Sequence, residues 1–290
     1  MTKSKQFLLC KNFLLITLFS ACASSPTEVP PAAVIPPSIT PANTLPAYWV
    51  PSPSDSFQFQ LSDYPPDLTV QADVFELDLF ETSQDALNFL HEAGKRVVCY
   101  INVGAWEEYR PDAADFPASV IGKEYIGWAG ERWLDISNFK KFSALISARF
   151  SLAASKGCDG IDPDNINGFQ NDTGFSISAQ DQLAYNIWLS EQAHLYGLSI
   201  GLKNDSGQIP DLVDHFDFVI LEDCAVYGEC ADFRPFIERG KAVFQVEYTD
   251  EFNSINSFCP IAAANGYSAI LKNRELDAWV NLCPSTQAEN

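Results

Sequence analysis

The sequence has 290 residues, of which 47% are hydrophobic, and a formal net charge of −20 at pH 7. This apolar content is sufficient for a buried core and excludes a chain that is disordered throughout. The negative charge excludes nucleic acid as the partner, because phosphate binding requires a basic surface, whereas it is compatible with a cationic partner or with a plain acidic surface.

The N-terminus has the pattern of an export signal. Several lysines precede a short apolar run at 13–21, which is far shorter than a membrane span. Cys22 follows small residues as in a bacterial lipoprotein signal, which predicts removal of residues 1–21 and lipidation of Cys22. Ordinary signal cleavage beside an incidental cysteine is the alternative. We therefore expect an exported protein that is lipid-anchored to the bacterial outer membrane or cell surface.

The segment after the signal differs in composition from the rest of the chain. Residues 22–47 are rich in proline and poor in large apolar side chains. Such a composition predicts an extended, semi-rigid tether that follows the lipidated cysteine. The remaining residues, 48–290, are predicted to form one globular domain.

From residue 48 onward, short apolar runs alternate with helical patterns. Helices are predicted at 83–94, 142–157 and 179–197, each of which ends in or next to a glycine. Strands are predicted at 57–61, 72–77, 96–102, 158–162, 198–203, 217–222, 242–247 and 267–271. Eight strands that alternate with helices predict a single (β/α)8 TIM barrel. A doubly wound open sheet is the alternative, but no GxGxxG fingerprint supports it.

Six cysteines lie within the predicted globular domain, at spacings that match no zinc pattern. Export makes disulfides possible. We predict disulfides between Cys224 and Cys230 and between Cys259 and Cys283. Cys99 and Cys158 lie in apolar, strand-like runs and are predicted to be free.

Polar residues follow six consecutive predicted strands. In a (β/α)8 barrel the carboxyl ends of the strands form the active-site face. One acid at a strand end is explained by a helix cap or a turn, whereas a succession of them indicates a shared site. The residues concerned are Asp78, Tyr100, Asn102, Glu107, Asp162, Asp164, Asn165, Lys203, Asn204, Asp205, Glu222, Asp223, Glu247 and Tyr248.

Other chemistries fit these residues poorly. The acidic stretch GCDGIDPDNINGF (157–169) fails the EF-hand pattern, because Ile166 and Asn167 occupy the fifth and sixth positions. The G-x-S-x-G elbow of a serine hydrolase is missing from the sequence, and the three histidines lie away from the predicted strand ends. We expect no metal and no cofactor. Carboxylate chemistry of the glycosidase type remains, with one protonated and one ionised carboxyl.

Several blocks carry a resemblance to a known family. They are CYINVGAWEEYRPD, GERWLDI, GIDPDNINGF, TGFSISAQDQLAYN, LSIGLKND, FDFVILEDCAVYGEC and GKAVFQVEY. In their order and spacing, over about 48–283, the chain resembles glycoside hydrolase family 114, the endo-α-1,4-polygalactosaminidase family. The resemblance implies a TIM barrel that hydrolyses α-1,4-linked galactosamine or N-acetylgalactosamine polymers. Its catalytic pair falls on Asp164, as nucleophile or base, and on Glu222, as general acid.

The chain departs from the family pattern at three positions. Asp162 stands where the family more often has Glu, Asn167 where it often has Asp, and Asp223 where Gln is common. These departures concern substrate detail more than the chemistry. A separation of about 5–5.5 Å between the catalytic carboxyls gives retention and about 6.5–9.5 Å gives inversion; we favour retention.

The remaining polar residues are expected to hold the substrate. They are Asp78, Tyr100, Glu107, Asp162, Asn165, Lys203, Asn204, Glu247 and Tyr248, with Asp162 orienting its neighbour. Trp106 and Trp128 are expected either to stack on sugar faces or to pack in the core. We expect a monomer whose acidic cleft attracts a cationic amino-sugar polymer. The alternative is a catalytically inactive barrel that binds a surface polysaccharide.

Overall fold

The computed structural model describes residues 48–284. The expected signal at 1–21, the lipidation site Cys22 and the expected tether at 22–47 lie outside the described residues. Within 48–284, none of the helices is both long enough and apolar enough to cross a membrane.

The described chain forms twelve strands and seven α-helices, joined by loops and short 3₁₀ turns. The strands are β1 (Phe57–Gln60), β2 (Val74–Asp78), β3 (Arg96–Asn102), β4 (Ala105–Glu107), β5 (Ile121–Glu124), β6 (Glu131–Leu134), β7 (Gly160–Asp164), β8 (Ser199–Lys203), β9 (Phe218–Glu222), β10 (Val243–Tyr248), β11 (Ser268–Lys272) and β12 (Val280–Leu282). The helices are α1 (Gln84–Glu92), α2 (Ser143–Lys156), α3 (Ala179–Leu195), α4 (Ile209–Leu212), α5 (Cys224–Tyr227), α6 (Arg234–Glu238) and α7 (Cys259–Asn265).

Eight parallel strands form the central sheet, in the order β1-β2-β3-β7-β8-β9-β10-β11, with β12 antiparallel at the end. Spatial order follows chain order throughout, as in a barrel, whereas a doubly wound sheet reverses its order at a switch point. The predicted (β/α)8 barrel is therefore confirmed. Each of the eight predicted strands is present, with ends displaced by two residues or fewer.

The barrel closes between β1 and β11 through loop and side-chain contacts. Just after β1, the backbone N–H groups of Leu61 and Ser62 donate to the carbonyl of Leu276, at 2.8 and 3.0 Å. The buried ammonium of Lys272 donates to two backbone carbonyls of the 276–280 segment, at 2.7 and 2.6 Å. Burial lowers the pKa of Lys272 to about 8. The segment that follows β11 thus completes the wall where the ladder is interrupted.

Alternation along each strand decides which residues reach the barrel mouth. On β9, Phe218 and Ile220 belong to the apolar cluster inside the barrel, while Val219 and Leu221 pack against the helix layer. Because side chains alternate with a period of two, the next inward residue is Glu222, at the carboxyl end of the strand. The apolar floor therefore fixes the face on which the acidic strand ends appear.

A small antiparallel sheet, β4-β6-β5, is inserted between β3 and α2. The sequence analysis did not predict this sheet, because its strands have only three or four residues each. It begins at Gly104, where a Cβ atom would lie 1.7 Å from the backbone oxygen of Asn165. This contact packs the insert closely against the end of β7, so residues of β4 and β6 reach the same mouth.

Three disulfides connect the described cysteines. The predicted bonds Cys224–Cys230 and Cys259–Cys283 are present. The prediction that Cys99 and Cys158 are free was wrong, because they form a third bond. Strand β7 starts at Gly160, two residues later than predicted, so Cys158 lies in the turn after α2. There it meets Cys99, which faces outward from the adjacent strand β3.

We expect Cys99–Cys158 to contribute more to stability than Cys224–Cys230. The two bonds join residues 59 and 6 positions apart in sequence. In the chain-entropy model, loops of these lengths correspond to about 4 and about 2 kcal/mol. The double variant Cys99→Ala/Cys158→Ala should therefore lose more unfolding free energy in denaturant than Cys224→Ala/Cys230→Ala. Equal losses, or free thiols at 99 and 158 in peptide mapping, would contradict this assignment.

Candidate active site

The carboxyl ends of the barrel strands surround a cavity of about 610 Å³. Most of the residues expected at the site line it, from strands on different sides of the barrel. They are Asp78, Tyr100, Glu107, Asp164, Asn165, Lys203, Asn204, Glu222 and Tyr248. Trp128 also lines the cavity and is 48% exposed, which leaves its ring face open to a ligand.

The ammonium group of Lys203 lies at the centre of the site. Its Nζ is 3.0 Å from Asp162 Oδ2, 3.5 Å from Asp164 Oδ1 and 3.2 Å from Glu222 Oε2. Burial alone lowers the pKa of Lys203, but the charges of these three carboxylates outweigh burial and raise the pKa well above its ordinary value. Lys203, on β8, is therefore a permanent cation that holds together three acidic side chains from the two neighbouring strands β7 and β9.

Asp164 ends β7 and is surrounded by hydrogen-bond donors. Tyr100 Oη donates to its Oδ2 at 2.9 Å, and Asn165 Nδ2 donates to the same oxygen at 3.2 Å. With Lys203 on its other oxygen, Asp164 meets three donors that stabilise negative charge and fix the direction of the carboxylate.

Glu222 ends β9 and is held by a different set of groups. Tyr248 Oη donates to its Oε1, and the guanidinium of Arg274 lies 3.9 Å from the centre of the Tyr248 ring. Arg274 in turn pairs with Asp223 at 2.5 Å. The side-chain oxygen of Asn204 accepts the backbone N–H of Glu222 at 2.9 Å, which orients the strand end.

The chain leaves three successive barrel strands through a left-handed residue. Asn165 has φ 63°, Asn204 has φ 52° and Asp223 has φ 58°, and each directly follows the last residue of its strand. Asn and Asp adopt this conformation more readily than other non-glycine residues. The sharp departure leaves Asp164, Lys203 and Glu222 projecting into the cavity. The amides and acids after the strands are thus explained in part by local backbone geometry.

Arg110 neutralises two of the expected substrate-binding acids. Its guanidinium contacts both oxygens of Asp78, at 3.0 and 2.6 Å, and both oxygens of Glu107, at 2.8 and 2.8 Å. Asp78 also accepts two backbone N–H groups from the turn that follows β2. These acids therefore form one wall of the cavity with Arg110. Arg110 belongs to the block CYINVGAWEEYRPD, but no role was predicted for it from the sequence.

Glu131, at the start of β6, is a further acid of the cavity that the sequence analysis did not single out. Tyr109 Oη donates to it at 2.8 Å and Asn102 Nδ2 at 3.2 Å. Burial raises the pKa of Glu131 to about 7, and the negative charges of Glu107 and Asp164 add to the shift. It therefore titrates in the neutral range. Only the short insert brings this residue to the mouth.

Two expected substrate-binding residues do not reach the cavity. Asp162 is fully buried beneath it and contacts Lys203 rather than open space. Glu247 lies on the outer face of β10, where its Oε1 accepts the backbone N–H of Ala225 at 2.9 Å and the amide of Gln245 at 2.7 Å. Burial raises the pKa of Glu247 to about 7. In this structure, therefore, neither residue lies where it would contact a substrate in the cavity.

Trp106 is also removed from the catalytic cavity. Its indole N–H donates to the carbonyl of Ala113 at 2.9 Å, and its ring packs against the core. For Trp106 the core-packing alternative therefore applies. In the part of the chain that the structure describes, one grouping has the spacing for a metal ion, Cys224, Cys230 and Glu247, but its two cysteines form a disulfide.

Comparisons with known proteins agree with this architecture. Residues 38–288 match the model of glycoside-hydrolase family GH114. The chain is similar to Ega3 of Aspergillus fumigatus, whose crystal structure is a complex with galactosamine, with 33% identity over 83% of this chain and 100% of that chain, and a TM-score of 0.78. No curated protein sequence matches the chain.

A more distant likeness supports the fold alone. The glycoside hydrolase domain of PelA from Pseudomonas aeruginosa is 15% identical, over 78% of this chain and 97% of that chain, with a TM-score of 0.60. The family match spans most of the sequence and includes the strand ends that form the cavity. The resemblance found in the sequence is thereby confirmed, and the chain belongs to glycoside hydrolase family GH114.

Proposed function

We propose that this glycosidase cleaves α-1,4-linked galactosamine or N-acetylgalactosamine polymers internally, with Asp164 as nucleophile and Glu222 as general acid. One observation carries the assignment: both carboxylates end inward-facing strands, line one cavity and contact the same ammonium group. Two carboxyls on either side of a glycosidic bond are the usual apparatus of glycoside hydrolysis.

The roles of the two carboxyls follow the family resemblance, because each carboxyl accepts from a tyrosine and contacts Lys203. Tyr100 and Asn165 donate to one oxygen of Asp164 and Lys203 lies beside the other, so the carboxylate is held in a fixed direction for attack. In the first step Asp164 attacks the anomeric carbon while Glu222 gives its proton to the departing glycosidic oxygen. In the second step Glu222 takes a proton from water, which attacks the same carbon and releases Asp164.

The shared contact with Lys203 favours a retaining reaction. One oxygen of Asp164 is 3.5 Å from Nζ and one oxygen of Glu222 is 3.2 Å from it. The separation between the Asp164 oxygen and the Glu222 oxygen cannot exceed the sum of their two distances to Nζ. This limit excludes the larger carboxyl separations that are typical of inverting enzymes. The proposed intermediate is a covalent glycosyl-enzyme on Asp164, and the shared contact with Lys203 is compatible with it.

The charge of the cavity fits an amino-sugar substrate. Its acidic side chains outnumber its basic ones, and Arg110 already offsets part of the charge of Asp78 and Glu107. Glu81 and Glu275 are exposed at the rim and have no lysine or arginine partner among the described residues. A free galactosamine polymer is cationic at neutral pH and is attracted by this field. The galactosamine complex of Ega3 supports the same sugar class.

Cellular placement is proposed from the disulfides and the N-terminal sequence. Three disulfides indicate an oxidising compartment outside the cytoplasm. Cleavage after residue 21 and lipidation of Cys22 tether the enzyme, as a monomer, to the outer membrane or cell surface. The proline-rich residues 22–47 give the barrel the reach to meet a polymer away from the membrane.

The carboxylate roles are tested by three isosteric variants on one polymer. Asp164→Asn removes the nucleophile and Glu222→Gln removes the transferable proton, so each should lower turnover by at least about 10²-fold. Asp162→Asn should cost less, because Asp162 does not reach the cavity. Release of reducing sugars from partially deacetylated α-1,4-galactosaminan is the measurement. An inactive Asp162 variant beside an active Asp164 variant would show that the wrong aspartate was chosen, and an inactive wild type would favour a binding barrel.

Lys203→Met should move the acidic limb of the pH–activity profile to higher pH. Loss of the ammonium removes the positive charge that lowers the pKa of Asp162, so the acidic cluster beneath the catalytic pair takes up a proton more easily. The expected displacement is about 1 to 3 pH units, accompanied by a lower turnover. Lys272→Met is the matched control, because Lys272 is equally buried but bonds only at the barrel seam. An unmoved limb in the Lys203 variant would contradict the role given to its charge.

Cys22→Ser should release the protein from the membrane fraction. A lipidated cysteine holds a protein firmly through several acyl chains, whereas serine accepts no thioether lipid. Fractionation followed by immunoblotting measures the change, with Cys10→Ser as the control inside the signal segment. Wild-type protein that is already free of the membrane would exclude the anchor while leaving export intact.

A further inference from the structure

Glu76 is a buried acid that the mechanism above does not use. It lies on β2, one inward position before Asp78, and is completely inaccessible to solvent. Its register partners on the two adjacent strands are Phe59 and Val98, both apolar. Neither oxygen of Glu76 meets a hydrogen-bond donor in the described structure.

The charged groups that act most strongly on Glu76 belong to the cluster around Lys203. Asp162 faces it from β7 within hydrogen-bonding reach, Lys203 from β8 and Glu222 from β9. The inward residues of β10 and β11 at this depth are the apolar Val246 and Ile270. Within the described chain, Glu76 therefore has one direct polar neighbour, another carboxyl.

Hydrogen-bond accounting places a proton between the two carboxyls. Asp162 Oδ2 accepts from Lys203 Nζ at 3.0 Å, but Asp162 Oδ1 also has no donor. Two ionised carboxylates in contact, away from water, would leave three oxygens unpaired and add a repulsive charge to a buried site. One proton on Glu76 forms a hydrogen bond to Asp162 Oδ1 and reduces the unpaired oxygens from three to one. It belongs to Glu76 because Asp162 already has the ammonium beside it.

We propose that Glu76 is a positioning residue that stays protonated at neutral pH and donates its O–H to Asp162. Asp162 then remains ionised and holds Lys203 from below, and Lys203 is held at the height where it contacts both Asp164 and Glu222. Burial raises the pKa of Glu76 well above its ordinary value, and the charge of Asp162 raises it further.

The protonated state also limits the charge of the buried cluster. When Glu76 is neutral, the negative charges around Lys203 are those of Asp162 and Asp164, together with that of Glu222 after it has given up its proton. A fourth negative charge would compete for the same ammonium and draw it away from the catalytic pair. The carboxylic acid thus supplies a hydrogen bond where a carboxylate would supply repulsion.

Two substitutions separate donation from mere packing. Glu76→Gln keeps the shape and places an amide N–H where the acid has its O–H, so the acidic limb of kcat against pH should stay within about 0.3 unit of wild type. Glu76→Leu keeps the volume approximately but removes the donor, so Asp162 becomes easier to protonate. Its acidic limb should rise by about one unit or more, the size expected for a lost hydrogen bond to a charged group. KM should change little in either variant, because Glu76 touches no substrate.

An infrared measurement tests the protonation without any activity. Wild-type protein at pH 7 should show a carboxylic acid C=O band whose frequency and intensity stay constant between pH 6 and pH 8. The Glu76→Gln variant should lack that band. Absence of the band in wild type, or a pH profile in Glu76→Gln as displaced as that of Glu76→Leu, would overturn the proposal.

The kinetic part of this test rests on the proposed function, whereas the infrared part does not. A wild type without galactosaminidase activity that still shows the band would refute the proposed function and leave the protonated Glu76 standing. An active wild type without the band would support the proposed function and refute the protonated state of Glu76. Because Glu76→Leu alters a buried site, its thermal unfolding is measured beside that of Glu76→Gln. The acidic limb of kcat against pH is compared only under conditions in which both variants are folded.

Discussion

The contact between one buried ammonium and the carboxylates around it is the constraint on which the site depends. Lys203 is almost entirely removed from water, and an unpaired charge there would be very costly. Asp162, Asp164 and Glu222 offset that cost, and Lys203 in turn keeps acids from the strands β7 and β9 at one place. Catalytic geometry and local stability therefore rest on the same contacts, so a change in one member alters the charge state and the position of the others.

The barrel provides this contact through strand alternation and through the way strands end. The interior floor is apolar, with Phe57, Phe59, Phe218 and Phe244 among its buried residues, so the catalytic groups enter at the last inward positions, and Glu76 and Asp162 lie one inward position deeper. Left-handed residues then turn the chain away at once, and the preceding side chains stay directed at the cavity. An apolar floor and a polar top layer are consequences of the same period-two pattern, which separates folding from chemistry within single strands.

Much of the fold was predictable from the sequence, because apolar runs, helix caps and closing glycines are local signals. The side-chain face was less predictable. Glu247 and Tyr248 are adjacent on β10, and their side chains lie on opposite faces of the strand. Tyr248 therefore contacts Glu222, while Glu247 points outward to α5. Prediction of the Cys99–Cys158 disulfide required knowing where β7 begins. Prediction of Arg110 and Glu131 as site residues required recognising an insert of very short strands. Such features follow from tertiary contacts that no window of sequence contains.

The net charge of the chain acquires meaning only when the acids are sorted by their partners. Asp78 and Glu107 are bound to Arg110, Asp162 is bound to Lys203, and Asp223 is bound to Arg274. These pairs shape the cavity and contribute less to the electric field outside it than unpaired acids do, because their charges are partly or fully offset within a few ångströms. The attraction for a cationic polymer therefore comes from the rim acids that have no such partner. Acidity at the floor positions catalytic groups, while acidity at the rim gathers substrate, and the two can change independently.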